Sequence, residues 1–181
     1  FGINAGEEYF SGKMTAYAAG ETDLESEGAQ NKHFPVAHAP EQLTDSGLYY
    51  SYNYGGAHFS VINVNNLSSG GVLSREQTEW LKSDLQGSDA EWKIILMGER
   101  PEDNTALAPQ IEDIAKTCGA DLIIEGTESG RFAVISENGV FYKKNAAVDR
   151  PVFSAITVDG DALTVRTYVL NGTKAAELSS F

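Results

Sequence analysis

Between Leu48 and Gly126 the chain alternates two hydrophobic periods, and this alternation restricts the fold more than any other feature. The stretch LYYSYNY, from Leu48 to Tyr54, alternates aromatic and polar residues as a half-buried strand does. Gly55-Gly56 makes a turn, and HFSVINVN, from His58 to Asn65, reads as the hairpin partner. Ser74 and Gln77 then give the S-x-x-Q capping pattern that opens a helix. Trp80, Leu81 and Leu85 form the apolar stripe of that helix, and Gly87 is its expected stop. WKIILM, Trp92 to Met97, is the next strand. A second helix is expected from Pro109, in its first turn, to Lys116, with Ile111, Ile114 and Ala115 facing inward and Gly119 as its stop. DLIIEG, Asp121 to Gly126, has little polar content, as befits a strand covered on both faces. Strands that alternate with helices in this order specify a layered α/β core.

The flanks read differently. Residues 1–47 form an irregular N-terminal segment rich in Gly, Glu, Asn, Ser and Pro, with a short helix expected in KMTAYAAG and an exposed acidic loop in ETDLESEGAQNK. After the core, RFAVISENGVFYKK reads as a hairpin around Asn138-Gly139, and PVFSAITVDGDALTVRTYVLNG as another turning at Asp159-Gly160. The tail TKAAELSSF carries no strong pattern. The expected organisation is a single domain over 1–181, with the α/β core at 48–181 and antiparallel C-terminal hairpins that extend or cover it.

Charge narrows the function. The chain carries 26 acidic and 13 basic residues, a net charge of −13, so nucleic acid and anionic membranes are repelled. Lys143-Lys144 is the basic pair that stands against this field. No apolar run is long enough to cross a bilayer, so no membrane insertion is expected. The single cysteine, Cys118, has no intrachain disulfide partner and reads as a small hydrophobe near a helix end. The sequence opens at Phe1 with no signal-peptide pattern, and reads as a processed chain or a piece of a longer one.

Common catalytic motifs are missing from the sequence. There is no G-x-S-x-G elbow, phosphate-binding loop or dinucleotide fingerprint, and Ser69-Gly70-Gly71 reads as a plain loop. His33 and His38 sit in a proline-bounded loop and His58 opens a strand, so ordinary loop and strand histidines are expected rather than ligands. Alternation puts Tyr50, Tyr52 and Tyr54 on one face of their strand and Tyr49 and Asn53 on the other. One face is core. The other is either core, the better reading, or a stacking platform for a sugar or a protein. Asn66-Leu67-Ser68 and Asn171-Gly172-Thr173 are glycosylation triplets that matter only in a eukaryotic secretory setting.

Four segments in order, from Gly47 to Arg131, resemble the calcineurin-like metallophosphoesterases, in particular their purple-acid-phosphatase-like branch. GLYYSYNYGGAHFSVINVN looks like the paired strands of that branch. LSREQTEWLKSDL looks like its L-S-x-x-Q-x-x-W-L-x-x-D-L helix. WKIILMGERPEDN looks like the strand that ends in G-H-R/K-P-P, and GADLIIEGTESGRF like the strand that ends in G-H-x-H. The resemblance implies half of a four-layer αββα sandwich whose site is a two-metal centre at the strand ends. It also implies where this chain departs from the pattern. Glu99 stands in place of the histidine of G-H-R-P, and Thr127 and Ser129 in place of the two histidines of G-H-x-H. Imidazole is a good ligand for zinc or iron, whereas hydroxyls are poor ones at neutral pH. The first-half aspartate ligands have no counterpart here.

These departures set the functional expectation. The chain reads as a degenerate phosphoesterase module with no catalytic residues, no metal centre and no cofactor, serving in binding or assembly. The alternative is one half of a metal-dependent phosphoric ester hydrolase completed by another chain, with Glu99 standing in for a histidine. Glu99, Glu125 and Glu128 are expected near one another, either as a solvated acidic rim or, on Glu99 and Glu128, as a divalent cation site with oxygen ligands. The expected partner is a second copy or a separate chain supplying the missing N-terminal half. A sugar-binding or surface-attachment module is a third option, and a secreted or cell-surface setting fits the family's frequent secretion.

Overall fold

The computed structural model describes Ala16, Ala18 and residues 49–65, 67–98, 104–127, 133–137, 140–146, 152–171 and 174–180. The first elements are strands β1 (Tyr50–Tyr54) and β2 (Ala57–Ile62), helix α1 (Arg75–Gly87) and strand β3 (Trp92–Met97). Helix α2 (Leu107–Cys118) and strand β4 (Leu122–Thr127) follow. Strands β5 (Ala133–Glu137), β6 (Val140–Ala146), β7 (Val152–Asp159), β8 (Ala162–Asn171) and β9 (Lys174–Ser180) complete the order. A six-stranded sheet runs β1-β2-β3-β4-β6-β5, and a three-stranded sheet runs β7-β8-β9. Strands β2, β3, β4 and β6 are parallel, while β1 and β5 close the edges antiparallel.

The expected layered α/β architecture is therefore present. Alternation along β3 and β4 explains how its layers adhere. Ile95, Met97 and Ile123 join the side chains of α1 and α2, including Leu81, Leu85, Ile111 and Ile114, in one buried cluster. Ile94 and Leu122 point the other way, with Phe59, Leu96 and Ile124, onto Ile156, Val158, Leu163 and Val165 of the second sheet. Two neighbouring strands buried on both faces have no room for polar alternation, which is why their sequences are so apolar. A hydrogen bond of 3.0 Å from Trp92 Nε1 to the Gly160 carbonyl also ties β3 to the β7–β8 turn.

Both sides of the β1–β2 turn need glycine, because Gly55 and Gly56 have φ of 58° and 85°. Helix α2 ends where expected, on Gly119 with φ 74°, and the Ala120 N–H closes on the Ala115 carbonyl at 2.8 Å. It begins earlier than Pro109. Asn104 Oδ1 accepts from the N–H groups of Ala106 and Leu107, both at 3.0 Å, and so supplies a cap from just outside the helix.

Several expectations are corrected. Gly87 is the last residue of α1 and not a left-handed stop, and the chain leaves through extended Ser88. Half of the capping box forms: Ser74 Oγ accepts from the Gln77 N–H at 3.2 Å. The other half does not, because Gln77 turns away from the helix end. Its Oε1 accepts from the Asn63 N–H at 2.7 Å and its Nε2 donates to the Asn63 carbonyl at 3.0 Å. A buried amide thus completes the backbone pairing of the residue that follows β2. The tail without a pattern is strand β9, paired antiparallel with β8. Ala16 and Ala18 are not helical, and the rest of KMTAYAAG lies outside the described residues, as do His33, His38 and the Asn138-Gly139 turn.

Candidate functional site

The two ends of the parallel strands offer two sites. At the carboxyl end, where open α/β sheets place their chemistry, β3 ends at Met97 and β4 at Thr127. The Met97–Glu125 register makes them parallel neighbours. The chain therefore leaves both strands at the same edge, just before Glu99 and Glu128 in the sequence. Thr127 is held by its backbone opposite Ala146 of β6. Glu99, Glu128 and Ser129 lie outside the described residues. Glu125 is placed, and it departs from the solvated-rim reading: it is buried, with 3% of its surface exposed. It falls within β4 and, by alternation, on the side of Ile123, beneath the helical layer. Among the described residues, no group of three or more His, Cys, Asp or Glu side chains is placed to hold a metal ion.

At the amino end a polar node is built from three elements. Cross-strand pairing sets Ser51 opposite Ser60 and Asn53 opposite His58 on the face of the hairpin that meets α1. Asp84 of α1 reaches all of this ladder but Asn53 directly. Ser51 Oγ donates to Asp84 Oδ1 at 2.6 Å, and Ser60 Oγ to Oδ2 at 2.6 Å. His58 Nε2 lies 2.9 Å from Asp84 Oδ2, and its Nδ1 lies 2.9 Å from Asn53 Oδ1. The side chains of His58 and Asp84 are each 7% exposed. Burial pushes the Asp84 carboxyl up, but hydrogen bonds from His58, Ser51 and Ser60, with the charge of His58, outweigh it and hold the carboxyl below its ordinary range.

Serine, histidine and aspartate meet here without forming a nucleophilic triad. Both serine hydroxyls donate to the carboxylate, and both imidazole nitrogens are occupied by Asn53 and Asp84. No hydroxyl is presented to a free imidazole nitrogen, so the geometry activates no nucleophile. What it does is fasten the edge hairpin to α1. His58 is the buried strand histidine that its position suggested.

The core reading holds for Tyr49, just before β1, and Tyr50, which are buried on opposite faces, but not for Tyr54. Tyr49, just before the strand, packs on Trp80 at 4.9 Å on the helical side. Tyr52 stacks on its cross-strand partner Phe59 at 4.9 Å and 8° on the other side. Burial, and then the neighbouring Tyr50, push the Tyr52 hydroxyl up to about 12. Tyr54, at the turn, is 65% exposed.

Asp84 and Gln77 escape a sequence reading that counts only apolar positions. A signal was nonetheless present. Both lie on the stripe of Trp80, Leu81 and Leu85, where an outward-facing residue is not expected. Polar residues at core-facing helical positions imply buried partners.

No protein-family model matches the sequence, and no curated protein matches it. Among solved structures, the chain is similar to PhoD, with a TM-score of 0.49 and 15% identity, covering 74% of this chain and 41% of that one. It is also similar to zinc-complexed Vps29 from Entamoeba histolytica, with a TM-score of 0.37 and 11% identity, covering 72% of this chain and 58% of that one. A double mutant of Entamoeba histolytica Vps29 gives 0.37 and 9%, covering 80% of this chain and 66% of that one. The chain spans less than two thirds of the length of each of these structures.

Proposed function

We propose that this chain is a metallophosphoesterase-like module without a working two-metal centre, and that it serves in binding or assembly. The reading rests on one observation. In segments that follow the family's order, Glu99, Thr127 and Ser129 occupy the three positions that would present imidazoles. The donor set does not fit a pair of zinc or iron ions. Two hydroxyls and one carboxylate lack the neutral nitrogen ligands such ions take, and a hydroxyl is a weak donor while it keeps its proton. No hydrolytic step is derived from it.

The test is elemental metal analysis of the purified protein after exposure to manganese, iron and zinc, paired with an assay of generic phosphate-ester hydrolysis. The expected result is metal well below one ion per chain and no turnover. Stoichiometric metal with hydrolysis that disappears in Glu99→Ala would instead support a half-enzyme completed by another chain. Light scattering reports the assembly part of the reading: a second copy would double the mass, and a strict monomer counts against self-assembly.

A further inference from the structure

At the amino edge of the sheet, the β1–β2 turn and the C-terminal end of α1 border an open cavity of about 700 Å³. That volume lies within the range of small-molecule sites. Asn53, Trp80, Ser83 and Asp89 line it together with the buried His58–Asp84 pair.

Three features of the lining select a class of ligand. First, among the described residues its lining has no lysine or arginine, and exposed Asp89 is a carboxylate, so an anion meets like charge. Second, Asn53 is oriented from behind. Its Oδ1 is engaged by His58 Nδ1 at 2.9 Å, His58 is held by Asp84 at 2.9 Å, and Asp84 is fixed by both serines at 2.6 Å. This chain of contacts commits one end of the Asn53 amide to His58 and leaves the other for a ligand, the kind of support that preorganises a recognition group. Exposed Asp89 adds an acceptor and exposed Ser83 a hydroxyl. Third, Trp80 contributes indole surface.

A mixture of oriented amide, carboxylate and aromatic surface matches a molecule whose hydroxyls both give and accept hydrogen bonds and whose C–H face packs on a ring. We infer that this cavity is a binding site for a neutral pyranose sugar, with Asn53 as the oriented amide, Asp89 as the acceptor and Trp80 as the apolar wall. Asp84 and His58 are positioning residues. The inference uses none of the carboxyl-edge loops, so it stands or falls apart from the proposed loss of the metal centre.

The test is isothermal titration and saturation-transfer NMR on the intact chain with methyl glucoside and methyl galactoside, with propylamine and inorganic phosphate as comparison probes. The expected result is saturable binding of a neutral pyranoside in roughly the millimolar range and none of phosphate. Asn53→Ala and Asp89→Ala should each weaken that binding by about tenfold, as the loss of one good hydrogen bond does. Asp89 is exposed and outside the strands and helices, so Asp89→Ala should keep the parent melting midpoint and separates lost binding from lost folding. Binding of propylamine alone, no saturable binding of either sugar up to about 10 mM, or unchanged affinity in both variants would overturn the inference.

Discussion

The two faces of the six-stranded sheet are held by different physics. The helical face is dry and continuous, with Leu81, Leu85, Ile95, Ile111, Ile114 and Ile123 all at 1% exposure or less. It also carries the charged node on Asp84 and the buried amide of Gln77. The face toward β7–β9 buries Ala57, Val61, Ile94, Leu122 and Val165, but relies on half-buried Phe59, Leu96, Ile156 and Leu163 around them. Three strands cannot cover six, so side chains near the margin stay partly wet. The comparison teaches that specificity of packing in this chain comes from the helices, while the second sheet is a lighter cover.

The largest test of that difference is Asp84→Ala. It removes the carboxylate that half-buried Ser51 and buried Ser60 and His58 share, and should cost about 4 kcal/mol in chemical denaturation. A loss under about 1 kcal/mol would show that the node is not structural. The pH dependence has a defined sign. Because the folded carboxyl is held below its ordinary range, its contribution is complete above the unfolded value near about 3.9 and is lost as pH falls through the lower folded value. Acid titration of the parent should therefore show a loss of stability that Asp84→Asn lacks.

Next in size is a matched pair. Leu81→Ala, in the helical core, should cost about 3 kcal/mol, and Leu163→Ala, half-buried on the other face, about 1.5 kcal/mol. Equal losses would erase the distinction between the faces. A smaller effect is expected from Tyr52. Its hydroxyl is pushed up to about 12, so an unfolded chain ionises first. Its contribution is intact below about 10 and declines as pH rises toward the folded value. Tyrosinate absorbance should show one late transition that vanishes in Tyr52→Phe. The smallest effect belongs to the surface pair of Arg75 and Glu79. The two side chains meet at 2.7 Å but are 89% and 63% exposed, and Arg75→Ala should leave the melting midpoint unchanged within error.

The candidate site was legible in part. The motif segments put the loops of Glu99 and Glu128 after neighbouring strands, and the parallel β3–β4 pairing is the part of that expectation that falls among the described residues. Glu125 was misread as part of a wet rim. Alternation alone does not say that α1 and α2 would lie over that side of β4. The Asp84 node was missed for a related reason. It is assembled from residues 24 to 33 positions apart, and no local period announces such a meeting.

By itself the sequence determined the local choices: two glycines for the first turn, a serine cap for α1, a left-handed glycine after α2, and two strands too apolar to face water. These follow from backbone sterics and hydrophobic period, which act over a few residues. It left open what depends on long-range neighbours. Whether Gln77 would cap its own helix or complete the backbone of Asn63 was decided by the approach of β2. Whether the tail would be a strand was decided by the free edge of β8, which supplied hydrogen-bond partners that the tail's own pattern did not require.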